Sequence, residues 1–217
     1  MEKYVAPVED MSFILTNLLD IDNYLKSINN KELSFDSLKM IIEEAGKFAC
    51  DELDTINQVG DQEGIKLENG VVRMPESFIK AYKNFVNNGW FSIIGEKKYG
   101  GQDLPLSAVV MINEIWHSTN MSFATNNMLT QGAVELLESH GNEKQKEYYL
   151  PNLISGKWSG TMNLTEPHAG SDLSSIKTKA IEKDKQFLIK GTKIYITHGD
   201  QDMSRSEERR VGKECER

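Results

Sequence analysis

The 217-residue chain is poor in the residues that would fix several common kinds of protein. It holds two cysteines, Cys50 and Cys215, too few and too ill-placed for a disulfide framework. Its four histidines, His117, His140, His168 and His198, are scattered, and no two share metal-ligand spacing, so no metal site is expected. No apolar run reaches the roughly 20 residues that a membrane-crossing helix needs. The opening Met1-Glu-Lys-Tyr-Val lacks the basic-then-apolar layout of a secretory signal. Acidic residues outnumber basic ones, 33 to 25, for a net charge of −8. That balance disfavours a nucleic-acid partner, whose phosphates must be neutralised. There is no G-x-S-x-G elbow, no Walker loop and no G-x-G-x-x-G. The absences leave a cytoplasmic globular protein, long enough to bury a substantial core.

Helical spacing dominates the first two thirds of the chain. Apolar residues from Met11 to Leu25 recur at three and four, which predicts an amphipathic helix over 8–29, broken near Asp20-Ile-Asp22. A second helix is predicted from Ser34 to Gln58, with Leu38, Ile42, Ala45, Ala49 and Leu53 on one face and Cys50 beside them as core filler. Residues 60–75 read as a charged, glycine-containing loop. Helical patterns return over Glu76–Asn88, Val109–Ser118 after Pro105, Met121–His140, and Glu143–Leu150, the last capped by Asn142 and limited by Pro151. Between them, Trp90-Phe-Ser-Ile-Ile94 packs inward, and Gly100-Gly101 supplies a turn through positive φ.

From Trp158 the pattern alternates. Strands are expected at Trp158–Thr165, Ile176–Glu182, Gln186–Lys190 and Lys193–Thr197, the last two forming a hairpin with Gly191-Thr192 near its turn. The fold class is therefore α+β: an all-helical domain over 1–155, then the start of a β-sheet or barrel domain over 156–204. Residues 205–217 have no periodicity, resemble translated sequencing adapter, and read as a non-native or disordered tail.

One stretch stands out: Thr161-Met-Asn-Leu-Thr-Glu-Pro-His-Ala-Gly-Ser-Asp172. Its first half alternates like a strand, and Pro167 ends it because proline gives no N–H to a ladder. Ala169-Gly170-Ser171 exposes backbone amides that can converge on an anion, and Asp172 can cap the next turn of chain. On its residues alone the stretch reads equally as an ordinary strand and turn.

Leu164 to Asp172 resembles the signature of the acyl-CoA dehydrogenase flavoenzymes. Gly156-Lys-Trp-Ser-Gly-Thr161, Gly191-Thr-Lys-Ile-Tyr-Ile-Thr197, Tyr99-Gly-Gly-Gln102 and His140-Gly-Asn-Glu-Lys-Gln145 resemble that family too, in the same order. The opening Tyr4-Val-Ala-Pro-Val-Glu-Asp-Met11 is similar to a longer subgroup that includes the 3-methylmercaptopropionyl-CoA dehydrogenases. The likeness spans Met1 to Ser204. It implies an N-terminal fragment, truncated in the middle β domain, with the family's C-terminal helical bundle absent.

The resemblance also implies a cofactor, FAD. Met162, Leu164 and Thr165 would lie against its isoalloxazine ring, with Thr165 donating a hydrogen bond. Gly170 and Ser171 would meet its pyrophosphate, and Ser171 would also lie near the acyl-CoA substrate. Tyr195, Ile196 and Thr197 would flank the flavin, with Tyr195 in place of the commoner tryptophan. His168 falls where the family varies and is read as structural, like the other histidines. Glu114, Glu135 and Glu138 read as solvated faces. No residue is assigned as the catalytic base, which the family places beyond residue 204, so Glu166 is not nominated and the fragment should be inactive. The full-length protein would oxidise an acyl-CoA to the 2,3-enoyl-CoA, pass electrons to an electron-transfer flavoprotein and form homo-oligomers. The rival readings are an acyl-CoA oxidase and a non-catalytic flavin- or acyl-CoA-binding homologue.

Overall fold

The computed structural model describes residues 3–184 and 186–204. Its first helical stretch is α1 (Val8–Phe13), a π-helical turn over Ile14–Leu18, and α2 (Ile21–Ser27). The break falls at Asp20, whose φ of 45° is left-handed. Ser34 opens α3 (Phe35–Phe48) through a reciprocal capping box: its hydroxyl accepts the Ser37 amide while the Ser37 hydroxyl accepts the Ser34 amide. The helix passes through a second π-helical turn, Ala49–Leu53, into α4 (Asp54–Glu63). Leu38, Ile42, Ala45, Ala49 and Leu53 are all buried, so the predicted apolar face does the packing.

The loop expected over 60–75 is corrected. The helix runs on to Glu63, and β1 (Lys66–Glu68) pairs antiparallel with β2 (Val71–Arg73). Asn69 and Gly70, at φ 52° and 75°, make the two-residue turn. That pair is the one best able to hold two successive left-handed residues.

The remaining helices are α5 (Glu76–Asn87), α6 (Leu106–Thr119), α7 (Met121–His140) and α8 (Glu143–Ile154). Pro105 starts α6 earlier than the apolar pattern indicated, since a proline at the N-terminal edge forfeits no helical hydrogen bond. Pro151 does not end α8 as expected. It costs the bond to the Glu147 carbonyl, but Leu150, Leu153 and Ile154 are buried on the continuing helix, and their burial outweighs that loss. Asn142 caps α8 by a capping box with Gln145. The main core is an aromatic cluster in which Trp116 stacks edge-on against Phe85 and Trp90, both at 5.2 Å. A smaller core joins Tyr99, Val134, Leu150, Leu153, Ile154 and Trp158.

After Ile154 regular structure thins. β3 (Lys179–Lys183) and β4 (Gln186–Lys190) form an exposed antiparallel hairpin whose register pairs Lys183 with Gln186. The turn therefore runs through Asp184, not Gly191-Thr192, and Lys193–Thr197 is not a strand. Trp158–Thr165 is not one either. Its start is drawn onto α7: the Gly160 amide donates to the Thr130 hydroxyl (3.1 Å), and a Cβ on Gly160 would stand 2.6 Å from the Ala133 Cβ. Alternation makes a strand only where a neighbouring strand takes up the amides. Helices followed by the start of a sheet give the α+β class. Among the described residues no helix is long and apolar enough to cross a membrane. The 205–217 tail, with Cys215, lies outside the described residues.

Candidate functional site

Two extended strips lie side by side. The Thr161 hydroxyl donates to the Thr197 carbonyl (2.7 Å), and the Ile194 amide donates to the Thr165 carbonyl (2.9 Å). The Lys193 ammonium donates to the Leu164 carbonyl (2.9 Å). The pairing runs antiparallel and brings Met162, Leu164 and Thr165 alongside Tyr195, Ile196 and Thr197. It does not become a ladder, because Tyr195 adopts a left-handed φ of 56° that breaks the alternation. The same backbone turn throws the Tyr195 ring outward, 89% exposed, while Met162 is 64% exposed. Leu164 is exposed as well. A shelf of apolar and aromatic side chains thus stands open to whatever covers it.

The turn at one end of the shelf is built on Glu166. Glu166 and Ala169 exchange two backbone hydrogen bonds of 3.0 Å around Pro167-His168. The Glu166 carboxylate is buried, and it accepts from the Lys177 amide (2.8 Å), the Thr178 amide (3.0 Å) and the Lys193 ammonium (2.9 Å). It is held far below the usual carboxylate range. The Thr178 hydroxyl, which lies against it outside hydrogen-bonding geometry, leads the causes, ahead of the Lys177 amide and the Lys193 ammonium. A carboxylate so firmly ionised is a poor proton acceptor. His168 donates to the Ser175 carbonyl (3.1 Å) and lies 3.4 Å from the same carboxylate.

Beyond the turn, Gly170 and Ser171 are exposed, and Asp172 caps the short 3-10 turn Leu173–Ser175 through the Ser174 amide. The Ser174 and Ser175 hydroxyls lower the Asp172 carboxyl. No atom lies within 4 Å of where a Cβ on Gly170 would sit. An anion can therefore reach the backbone there, and the donor set of amides plus the Ser171 hydroxyl suits a phosphate. Beside it, the shelf offers a face of the kind a flat aromatic ring covers. The residues present fit a flavin dinucleotide along one side.

Ile196 and Thr197 also touch a groove of about 540 Å³, shared with Ile65, Val72, Met74 and Phe78. His198 lines it and donates to the Ser122 carbonyl (2.9 Å). Burial pushes the His198 imidazole below its usual 6.5. Its neutral form is favoured by folding, so its contribution to stability is full above about pH 6.5 and falls as acid drives the unfolded chain to bind the extra proton. Urea midpoints from pH 7.5 down to 5 should fall more steeply for the parent than for His198→Asn. Parallel slopes would refute the assignment.

The structure also gives partners to side chains that the sequence left as solvated or incidental. Glu138 is half-buried, not a solvated face; it accepts the Glu96 amide (2.8 Å), and burial raises its carboxyl. A polar seam joins α6 to α7, where Asn113 donates to Gln131 (2.9 Å) and the His117 Nδ1 donates to the Asn113 carbonyl (2.7 Å). Asn126 and Asn127 are buried beside it. The available signal was spacing, since Asn113/His117 and Asn127/Gln131 each sit four apart on successive helices.

A family model described as "Acyl-CoA dehydrogenase, N-terminal domain" matches residues 36–157. The chain is 41% identical over 202 residues to a 3-methylmercaptopropionyl-CoA dehydrogenase of Ruegeria pomeroyi, covering 93% of this chain and 34% of that protein. It is 31% identical over 209 residues to a butyryl-CoA dehydrogenase of Syntrophomonas wolfei, covering 94% and 34%. A solved acyl-CoA dehydrogenase of Bacillus anthracis complexed with FAD superposes at a TM-score of 0.63 with 25% identity, over 77% of this chain and 27% of that one. The chain thus spans about a third of the length of the curated relatives it matches.

Proposed function

The chain belongs to the acyl-CoA dehydrogenase family, and from that premise we propose that it supplies the N-terminal part of an FAD-dependent oxidoreductase converting an acyl-CoA thioester to its 2,3-enoyl form. One observation carries the reading: the open shelf of Met162, Leu164 and Tyr195 lies next to the open turn at Gly170-Ser171. When bound, FAD would supply the acceptor for the hydride that leaves the substrate. The chain's own residues hold and orient. Met162 and Leu164 keep water from one face of the ring, and Tyr195 offers an aromatic surface with a polar tip. Thr165, Ile196 and Thr197 complete that side, with the Thr165 hydroxyl as donor. Gly170 and Ser171 take the pyrophosphate, Ser171 also facing the acyl-CoA.

In this reading residues 1–155 act as the helical domain and 156–204 as the start of the flavin-facing domain. Glu166, tied up as an anion, does not serve as the base, and the resemblance puts that role beyond residue 204. Electrons pass to an electron-transfer flavoprotein, and the longer protein works as a cytoplasmic homo-oligomer. The names of the relatives support short acyl groups, a methylthio-substituted one included.

FAD titration of the purified chain, followed by flavin fluorescence, tests the cofactor site. Gly170→Val should weaken binding by about tenfold or more, since the side chain fills the space an anion needs. Its melting temperature should stay put, because nothing packs against that position. If the parent chain takes up no FAD, or the valine variant binds as well as the parent, the reading fails.

A further inference from the structure

Three segments that are distant in sequence converge on one carboxylate. The two carboxylate oxygens of Glu166 receive the Lys177 and Thr178 amides from the chain leading into β3, and the Lys193 ammonium from the strip that carries Tyr195. Lys193 also holds the Leu164 carbonyl on the opposite strip (2.9 Å). His168 approaches from the turn that presents Gly170-Ser171 and itself reaches the Ser175 carbonyl (3.1 Å). Only two other hydrogen bonds cross between the strips among the described residues, from Thr161 to Thr197 and from Ile194 to Thr165. The strips have no ladder to hold them, so the charged link carries much of their spacing.

We propose that Glu166, through Lys193, is a positioning residue: it fixes the separation of the 161–165 and 193–197 strips and the aim of the Gly170-Ser171 turn, without itself touching the flavin. The inference rests on the flavin reading for its functional meaning, not for its structural content. The firm ionisation of Glu166 fits the role, because a charged acceptor grips amides and an ammonium more tightly than a neutral one.

The test uses the full chain with Glu166→Gln and, as a change on the other partner of the pair, Lys193→Met. Hydrogen exchange is followed by mass spectrometry without any cofactor, and FAD binding is measured in parallel. Both variants should exchange at least about tenfold faster at the Ile194 amide, which bridges the strips, and Glu166→Gln also at the Lys177 and Thr178 amides, as expected for the loss of a charge-assisted bond, while α5–α7 exchange as in the parent. FAD binding should weaken by a similar factor. Lys193→Arg should restore slow exchange, which a purely steric role would not give. Unchanged exchange at Ile194 overturns the proposal whatever FAD does. Equal acceleration across the helices also overturns it, because Glu166 would then be a general fold residue. A parent chain that ignores FAD overturns the flavin reading and leaves the exchange result to decide this one.

Discussion

Asn120→Ala is expected to lower stability by about 2–4 kcal/mol, one of the largest losses from a single polar side chain in the protein. Asn120 is the one residue between α6 and α7, and it is 1% exposed. Its side-chain oxygen Oδ1 accepts the Phe123 amide (3.1 Å) and the Ser122 hydroxyl (2.8 Å), which caps α7. Its amide nitrogen donates to the Leu53 carbonyl (3.1 Å), at the end of the π-helical turn between α3 and α4. Alanine removes a cap, worth about 1 kcal/mol, and strands a buried carbonyl, worth about 1–3 kcal/mol. For a chain of this size that is a fall of roughly 5–15 °C in melting temperature. Asn120→Asp separates the two halves. It keeps the capping oxygen and replaces the donor by a second oxygen facing Leu53. If Asp behaves like Ala, the Leu53 link dominates; if Asp is near the parent, the cap does. A loss below about 0.5 kcal/mol for alanine would show that neither bond matters.

The sequence made that junction half-visible. The stretch 121–140 carried its helical period and ended before Gly141, and the observed α7 runs from Met121 to His140. The Asn120 link to Leu53 was not legible, because it depends on a π-helical turn 67 residues away, and nothing in Ala49–Leu53 marks the extra residue per turn. The same division runs through the rest of the fold. Capping at Ser34 and Asn142 is local chemistry and could be read. Strands at Trp158–Thr165 and Lys193–Thr197 could not be judged locally, because alternation states only that a side could pair. Whether it becomes a ladder depends on the neighbour's backbone, and the left-handed Tyr195 in the facing strip breaks it. Asn69-Gly70 is a different kind of miss. The turn signal was present, and the charges of Lys66, Glu68 and Arg73 concealed the two short strands beside it.

At the candidate site, the motif named the residues, and the structure added how they are held. Met162, Leu164 and Thr165 were read next to one another because they are neighbours in sequence. Their alignment with Tyr195, Ile196 and Thr197 is a tertiary fact, carried by Thr161, Ile194 and Lys193. Glu166 was legible only as a residue that should not be the base. Its three backbone and ammonium donors come from 11, 12 and 27 positions away, a spacing no local pattern encodes.

The pair Gly100-Gly101 shows how far one physical reason reaches. Positive φ was expected of both, yet only Gly100 has it, at 94°. Nothing lies within 4 Å of a Cβ placed on Gly100, so alanine there costs only the left-handed backbone, about 1–2 kcal/mol. Gly101 is needed for space. A Cβ there would stand 1.9 Å from the Gly95 carbonyl oxygen and 2.3 Å from its carbon, and these are backbone atoms with no rotamer to turn away. Gly95 cannot retreat easily. Its own Cβ position already meets Ile154 at 2.7 Å, the next amide is held by Glu138, and the returning chain bonds Gln102 to Ser92 (2.7 Å) and Leu104 to Ile93 (3.1 Å). Gly101→Ala should therefore lose about 3 kcal/mol, clearly more than Gly100→Ala, with the loss seen as a lower urea midpoint. Faster exchange should be confined at first to 90–104, where the loop is stitched to the turn that buries Trp90 and Phe91. If the two variants are equal, or Gly100→Ala is the worse, the close approach of residues 95 and 101 is not what the glycine provides.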